Sequence, residues 1–344
     1  MIPAMQAVQK TAPEFGLELR EVAEPSAPGA GEVLIDVTAA GICGSDLHIY
    51  EWSGGYEFVT PAMPVTLGHE FAGRVAALGP GVNLAVGDRV TVMPSVTCGV
   101  CAACVARDFD RCLTRKGIGM TRQGAFARRV LAPAINCVRL PDNVDDELAA
   151  LTEPLTVGAR AVESGEVRTG DRVLVMGPGT VGQTIAVMAR AAGAEVTIVG
   201  KGDPDRLACL RALGFERLVD LQDTSLAEAV GSQKFDVVFE ATGVPATVNH
   251  GLNVLRRWGI LVVCGIHAAH APVDLNRLNR EQLQIRGSNR ASRATWARVV
   301  DLLTAEGERL RPMITHRLPL DRAIEGFELA RQKVASKVLL LPNA

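Results

Sequence analysis

Asp171-Arg172-Val173-Leu174-Val175-Met176-Gly177-Pro178-Gly179-Thr180-Val181-Gly182 is the stretch that decides the fold. Its first half is a largely apolar run of strand length. Its second half spaces glycines as G-x-G-x-x-G, and a helical pattern follows from Val181 to Ala192. Many glycine turns match that spacing by chance, so the position between a buried strand and a helix gives it meaning. Gly177 makes the tight turn, Gly179 lets the backbone approach a pyrophosphate, and Gly182 lets the helix pack close to the strand. The free N–H groups at the helix start bind phosphate charge. Gly177, Pro178, Gly179, Thr180, Val181 and Gly182 are therefore candidate dinucleotide-binding residues.

Further strands follow at 195–199, 235–239 and 259–264, with helical stretches such as 204–213 between them. Runs that are apolar on both faces suit central strands of a parallel sheet covered by helices. The expectation is a doubly wound α/β domain over 156–290. Thr242-Gly243 and Gly265-Ile266 fall at C-terminal strand ends, where ligands bind in open α/β sheets, and are candidates for the nicotinamide and ribose. In such a domain an acidic residue usually ends the second strand and binds the ribose 2′-hydroxyl. Here that place reads Val199-Gly200-Lys201-Gly202-Asp203, with Arg206 nearby. Missing negative charge beside Lys201 and Arg206 suits a 2′-phosphate, hence NADP over NAD. The alternative is that Asp203 curls back to the hydroxyl of NAD.

Upstream the texture differs. Residues 1–155 are rich in Gly, Pro and short alternating runs, such as Glu32-Val33-Leu34-Ile35-Asp36-Val37-Thr38 and Asp88-Arg89-Val90-Thr91-Val92. These read as half-buried strands of an all-β half. Downstream, helical patterns at 294–305 and 320–332 precede a closing strand at 337–341. The 344 residues are enough for about two domains. The 36 basic and 38 acidic residues leave a formal net charge of −2, which argues against a general nucleic-acid binder. No apolar run reaches the roughly 18 residues of a membrane span. The start, Met1-Ile2-Pro3-Ala4-Met5-Gln6, lacks the pattern of a secretion signal, so a cytoplasmic location is expected.

Eight cysteines need an account. Cys98-x2-Cys101-x2-Cys104-x7-Cys112 matches a tetrahedral all-cysteine zinc site. With no coordination position open, such a site is structural, and a lobe at 95–115 is expected. Arg107, Arg111, Arg115 and Lys116 make a nucleic-acid zinc module the rival of another class, but no aromatic stacking pattern accompanies them. Cys43, in Gly41-Ile42-Cys43-Gly44-Ser45-Asp46-Leu47-His48, joins Gly68-His69-Glu70 and Thr152-Glu153-Pro154-Leu155 in supplying the ligand types of an open catalytic zinc site. Spacing alone does not group them. Cys137, Cys209 and Cys264 read as buried thiols, and His250, His267, His270 and His316 as structural.

Together these residues resemble the zinc-dependent medium-chain dehydrogenases and reductases. Gly68-His69-Glu70-x2-Gly73-x5-Gly79-x2-Val82 is similar to the zinc alcohol dehydrogenase signature, and the cysteine lobe, the glycine turn and their order agree. The resemblance implies a GroES-like, mostly-β catalytic domain formed by 1–155 and 291–344, interrupted by a Rossmann domain at 156–290. It implies two zincs per chain. Cys43, His69 and Glu153 surround the catalytic one, with Glu70 able to enter or leave its shell, and Glu153 acts directly or through water. Glu70 and Glu153 together resemble the polyol dehydrogenase branch. Leu47-His48-Ile49-Tyr50-Glu51-Trp52 is more similar to L-threonine 3-dehydrogenase. Asn289 stands where the polyol enzymes have an aromatic before the substrate-facing arginine, here Arg290. The implied reaction is hydride transfer between a secondary alcohol or polyol and NAD(P). Ser45 passes the proton through cofactor ribose hydroxyls to His48, which releases it. Asp46 holds this loop, and Tyr50, Trp52 and Arg290 shape the substrate pocket. Relatives are commonly dimers or tetramers, so a homo-oligomer acting on a small molecule is expected. The rivals are a threonine-type dehydrogenase and a non-catalytic zinc-bearing protein on the same scaffold.

Overall fold

The computed structural model describes residues 3–343, without the side chain of Asp110. The chain divides into two compact units: Met1–Glu153 with Trp296–Gln332 and Lys337–Ala344, and Pro154–Thr295 with Lys333–Ser336.

The first unit is built on a seven-stranded sheet. Its path runs Cys137–Arg139, Arg89–Val92, Glu70–Leu78, Glu32–Gly41, Lys337–Leu341, Ile314–Pro319, and Arg129–Pro133 pairs with Glu32–Gly41 off this path. All these pairings are antiparallel except that of the last two strands on the path. Glu32–Gly41 is central because its sequence buries Val33, Leu34, Ile35 and Val37 while Glu32, Asp36 and Thr38 stay nearer solvent. Ile35, Leu67, Phe71, Phe126 and Phe327 have no exposure at all, and each such side chain contributes roughly 1.5–3 kcal/mol by leaving water. The β-rich reading of this half misses one helix that matters for the site, Gly44–Glu51. The cysteine lobe carries only short elements, Ser95–Val96, Ala102–Val105, Phe109–Arg111 and Lys116–Gly117.

The closing strand brings Lys337 into that sheet. Leu339 pairs with Gly41 and Leu340 with Ala40, so the end of the chain lies beside the strand that leads into Cys43. A Cβ on Gly41 would strike the Glu70 carboxylate and the Lys337 stem, which makes this close approach a glycine requirement.

The second unit holds six strands in parallel order: Leu218–Asp220, Glu195–Gly200, Arg172–Met176, Phe235–Glu240, Leu255–Val263, Gln284–Gly287. In chain order that is 3-2-1-4-5-6, the doubly wound arrangement. The strand order reverses between Arg172–Met176 and Phe235–Glu240, which places the glycine turn and Thr242 on the same switch point. Gly177 has φ +108, and a Cβ on Gly182 would overlap the Gly177 carbonyl, so both glycines are required by geometry. The fold is thus a mostly-β unit plus a doubly wound parallel α/β unit, as the sequence leads one to expect. Among the described residues, no helix is long and apolar enough to cross a membrane.

Candidate active site

The sulfurs of Cys98, Cys101, Cys104 and Cys112 lie within 4.8 Å of one another. Cys98 Sγ is 3.9 Å from Cys104 Sγ and 3.7 Å from Cys112 Sγ. Four sulfurs each about 2.3 Å from a zinc ion form a tetrahedron with edges of about 3.8 Å, so the donor set fits that metal. The amides of Cys98 and Cys101 point at sulfur, donating to Cys112 and Cys98 at 3.4 Å each. The Thr114 side chain and the Val100 and Cys101 amides hold the Cys98 thiol down at about 5, whereas burial pushes Cys104 up to about 11. A structural zinc contributes folding energy of order 10 kcal/mol. Cys101→Ser should therefore lower the apparent Tm sharply and remove one zinc per chain. Full thermal stability in that variant would count against a zinc lobe.

The second cluster is assembled from distant residues. Cys43 caps helix Gly44–Glu51, and His69 and Glu70 begin strand Glu70–Leu78 from its preceding turn. The ligand atoms of Cys43, His69 and Glu70 lie within 4.8 Å of one another. Asp46 is fully buried, accepts from the Cys43 amide at 3.0 Å, and sets its other oxygen 3.5 Å from His69 Nδ1. Neither that Asp46 oxygen nor His69 Nδ1 has a hydrogen bond. Asp46 thus faces the Nδ1 edge of the imidazole as a charge, and Nε2 on the other edge lies 3.3 Å from Ser45 Oγ. Burial and the Glu70 charge push the Cys43 thiol up. A divalent cation among these groups relieves that penalty, because it stabilises the thiolate and leaves the imidazole neutral. Cys43, His69 and Glu70 thus fit a zinc ion. For His69, burial opposes charge, but Asp46 and Cys43 outweigh it and raise its pKa.

Glu153 starts helix Thr152–Ser164 and falls outside that set of three. It does sense the set: burial pushes its carboxyl up to about 7, against His69 and with Glu70. Ser45 and His48 are three apart on one helix and so share a face. His48 Nδ1 meets Ser53 Oγ at 2.8 Å.

The structure adds two groups that the sequence did not signal. Lys337 has no exposure and donates to the Ile42 carbonyl at 2.9 Å and to Glu70 Oε2 at 2.5 Å. Burial alone would lower its pKa, but Glu70 and Cys43 raise it. Tyr56, only 8% exposed, stacks on His48 with ring centroids 5.7 Å apart. Tyr50, expected in the substrate pocket, is 4% exposed. Its ring meets Phe15 and Phe327, and its hydroxyl donates to Glu328 at 2.8 Å. Trp52 ends the helix in the left-handed region (φ 52), with the Lys10 ammonium 5.2 Å from its ring.

In the second unit, no side chain caps helix Thr180–Ala191 at Gly179, so its first N–H groups remain for an anion. Thr180 Oγ1 donates to the Ser336 carbonyl at 2.7 Å, and Gln183 binds the Pro178 carbonyl and Ser336 Oγ. Lys201 is exposed beyond the second strand. Asp203 accepts from the Lys201 amide and lies 3.6 Å from Arg206 and 3.5 Å from Lys333. At the other strand ends, the buried Glu240 carboxylate accepts from the Thr242 and Gly243 amides at 2.8 and 3.1 Å. Its second oxygen meets His267 Nε2 at 2.9 Å. His267 therefore has a partner that the sequence reading missed, and it ties the turn after Val263 to the turn carrying Thr242-Gly243. Ile266 is exposed there, as is Arg290, which adopts φ 60. Of the three remaining thiols Cys209 is buried, while Cys137 and Cys264 are partly exposed.

Residues 29–142 match the alcohol dehydrogenase GroES-like domain, and residues 180–305 match the zinc-binding dehydrogenase domain. The chain is 32% identical over 342 residues to L-threonine 3-dehydrogenase of Photorhabdus laumondii, covering 98% of this chain and 99% of that protein. It is 34% identical over 347 residues to sorbitol dehydrogenase of Halalkalibacterium halodurans, with the same coverage of 98% and 99%. A zinc-binding dehydrogenase of Sinorhizobium meliloti bound to NADP superposes with a TM-score of 0.89 at 28% identity, covering 99% and 100% of the two chains. An alcohol dehydrogenase of Escherichia coli complexed with NADH does so with a TM-score of 0.88 at 29% identity, covering 98% and 99%.

Proposed function

The chain belongs to the zinc-binding dehydrogenases that join a GroES-like domain to a Rossmann domain, and from that premise we propose that it interconverts a secondary alcohol or polyol and its ketone with NAD(P). The observation that carries this reading is the convergence of Cys43, His69 and Glu70 beside Ser45. An inert scaffold has no physical need for a buried thiol, imidazole and carboxylate held together with a hydroxyl at their edge. Zinc, when bound, lowers the pKa of an alcohol hydroxyl and polarises a carbonyl, and the nicotinamide supplies the hydride chemistry.

The chain's own residues do the rest. Cys43, His69 and Glu70 would hold the metal, and Glu153 would act on it directly or through water. Asp46 faces the His69 ring as a charge. Ser45 Oγ takes the substrate proton, and His48, on the same helix face, releases it to solvent. The Gly177–Gly182 turn and the uncapped helix behind it hold the pyrophosphate. Thr242, Gly243, Gly265 and Ile266 border the nicotinamide and ribose. A screen of secondary alcohols, polyols and L-threonine, with both cofactors and zinc-replete protein, tests the reading. Turnover of none of them overturns it, and turnover of threonine alone moves the assignment to the amino-acid branch.

NADP is the preferred cofactor in this reading. At the expected ribose position the Asp203 oxygens are engaged by the Lys201 amide and flanked by Arg206 and Lys333, while Asp220 accepts from the Gly202 amide at 2.9 Å. Lys201, Arg206 and Lys333 supply the cationic groups that would meet a 2′-phosphate. Lys201→Ala should lower the ratio of kcat/KM for NADP over NAD about tenfold, the value of one charge-assisted contact. A wild-type preference for NAD would overturn the assignment.

A further inference from the structure

Two turns of the second unit meet at one buried carboxylate. Glu240 ends strand Phe235–Glu240 and has no exposure. Its main-chain carbonyl accepts from the Cys264 and Gly265 amides at 2.8 and 2.9 Å. Its side chain is divided between the turns. Oε1 accepts from the Thr242 and Gly243 amides and, at 2.9 Å, from Thr247 Oγ1. Oε2 serves the other turn, where His267 Nε2 lies at 2.9 Å. A carboxylate only accepts, so Nε2 donates. The two backbones also touch. A Cβ on Gly265 would strike the Gly243 amide nitrogen and Glu240 Oε2, and a Cβ on Gly243, at φ +71, would strike the Ile266 carbonyl. Strand pairing does not need His267. Glu240 already pairs with Val263, and His267 lies two residues beyond the last of the main-chain bonds to Glu240. What His267 fixes is the tip of the turn, where Ile266 is 52% exposed.

We propose that His267 is a positioning residue for the nicotinamide half of the cofactor. By closing on Glu240 it locks Thr242-Gly243 and Gly265-Ile266 into one preformed surface. This rests on the NAD(P) reading. A dinucleotide lies across the switch point of a 3-2-1-4-5-6 sheet, with one nucleotide on each half. The acidic or basic group after the second strand meets the adenine ribose, so the half built on Phe235–Glu240 and Leu255–Val263 takes the nicotinamide nucleotide. A preformed surface loses little backbone freedom when the ligand arrives, whereas a released turn must be ordered on binding. Without His267, Glu240 Oε2 is also left as a buried acceptor lacking its donor, which loosens the turn further.

Calorimetry on the zinc-replete full chain tests this without turnover. NADPH and NADH are compared with adenosine 2′,5′-bisphosphate and ADP, which carry the adenine half alone. In His267→Ala the affinity for the preferred dinucleotide should fall about tenfold, the value of roughly one hydrogen bond. Affinity for the matching adenine fragment should stay within about twofold. In His267→Gln a side-chain amide replaces the ring donor, and dinucleotide affinity should return to within about threefold of wild type. If His267→Ala does not fold, His267→Leu, which fills the space without a donor, makes the same comparison. Equal weakening of dinucleotide and fragment would mean a general structural role and overturns the inference alone. So does unchanged dinucleotide affinity, or a His267→Gln protein no better than His267→Ala. A wild type that binds neither NADPH nor NADH overturns the cofactor reading and this inference with it.

Discussion

Cys43→Ser should abolish turnover, lowering kcat by about a thousandfold or more, a loss of some 4 kcal/mol of transition-state stabilisation. It should also remove one zinc per chain while the fold remains. The reason lies in the geometry of the first unit. Cys43 caps a helix, its amide is held by Asp46, and its sulfur sits within 4.8 Å of the His69 and Glu70 ligand atoms. A serine hydroxyl keeps the cap but is a far poorer zinc ligand than a thiolate. Metal analysis distinguishes the two zincs, because the cysteine lobe shares no ligand with this cluster. The expected result is one zinc retained and one lost. Two zincs retained together with full loss of activity would mean that Cys43 acts otherwise than as a ligand.

How far the site could be read in advance follows sequence distance. The Cys98–Cys112 lobe and the Gly177–Gly182 turn are local devices, with every participating residue within one short segment, so spacing alone exposes their chemistry. The parallel strands were legible because runs such as Phe235–Glu240 are apolar on both faces. Cys43, His69 and Glu153 are different. They come from three segments, and only the resemblance to a known family grouped them. The pairings that no family motif signalled stayed hidden. Lys337 meets Glu70 across 267 positions of sequence, and nothing in Lys337-Val338-Leu339-Leu340-Leu341 marks its first residue as buried. His267 looked solitary because its partner, Glu240, belongs to another strand end. Tyr50 is placed at the substrate by the resemblance alone, and its contacts with Phe327 and Glu328, 277 and 278 positions away, are ones its sequence neighbours do not signal.

Lys337→Ala should destabilise the protein by roughly 3–5 kcal/mol, the cost of leaving one member of a buried ion pair without its partner. Glu70 and Lys337 are 1% and 0% exposed, so neither charge can turn to water. The Lys337 ammonium is also satisfied by the Ile42 carbonyl, next to Cys43. Its loss therefore loosens both the carboxylate and the backbone that positions the thiol. Zinc should dissociate more slowly from the variant, because loss of the ammonium leaves the Glu70 carboxylate free to attract the divalent cation. Urea denaturation and chelator-driven zinc release measure the two effects separately. The sign with pH follows from the raised folded-state pKa of Lys337. Its contribution is complete below the ordinary lysine value and is lost only as pH climbs through the higher folded value, so the wild-type advantage over Lys337→Ala should persist across neutral pH and fade in strong alkali. The double variant Lys337→Met with Glu70→Gln removes both charges at once and should recover most of the stability. It should not recover activity, because the carboxylate beside Cys43 and His69 is gone. Recovery of activity without that carboxylate would show that Glu70 only balances Lys337. No recovery of stability would show that the lysine stem, packed against Gly41, matters more than its charge.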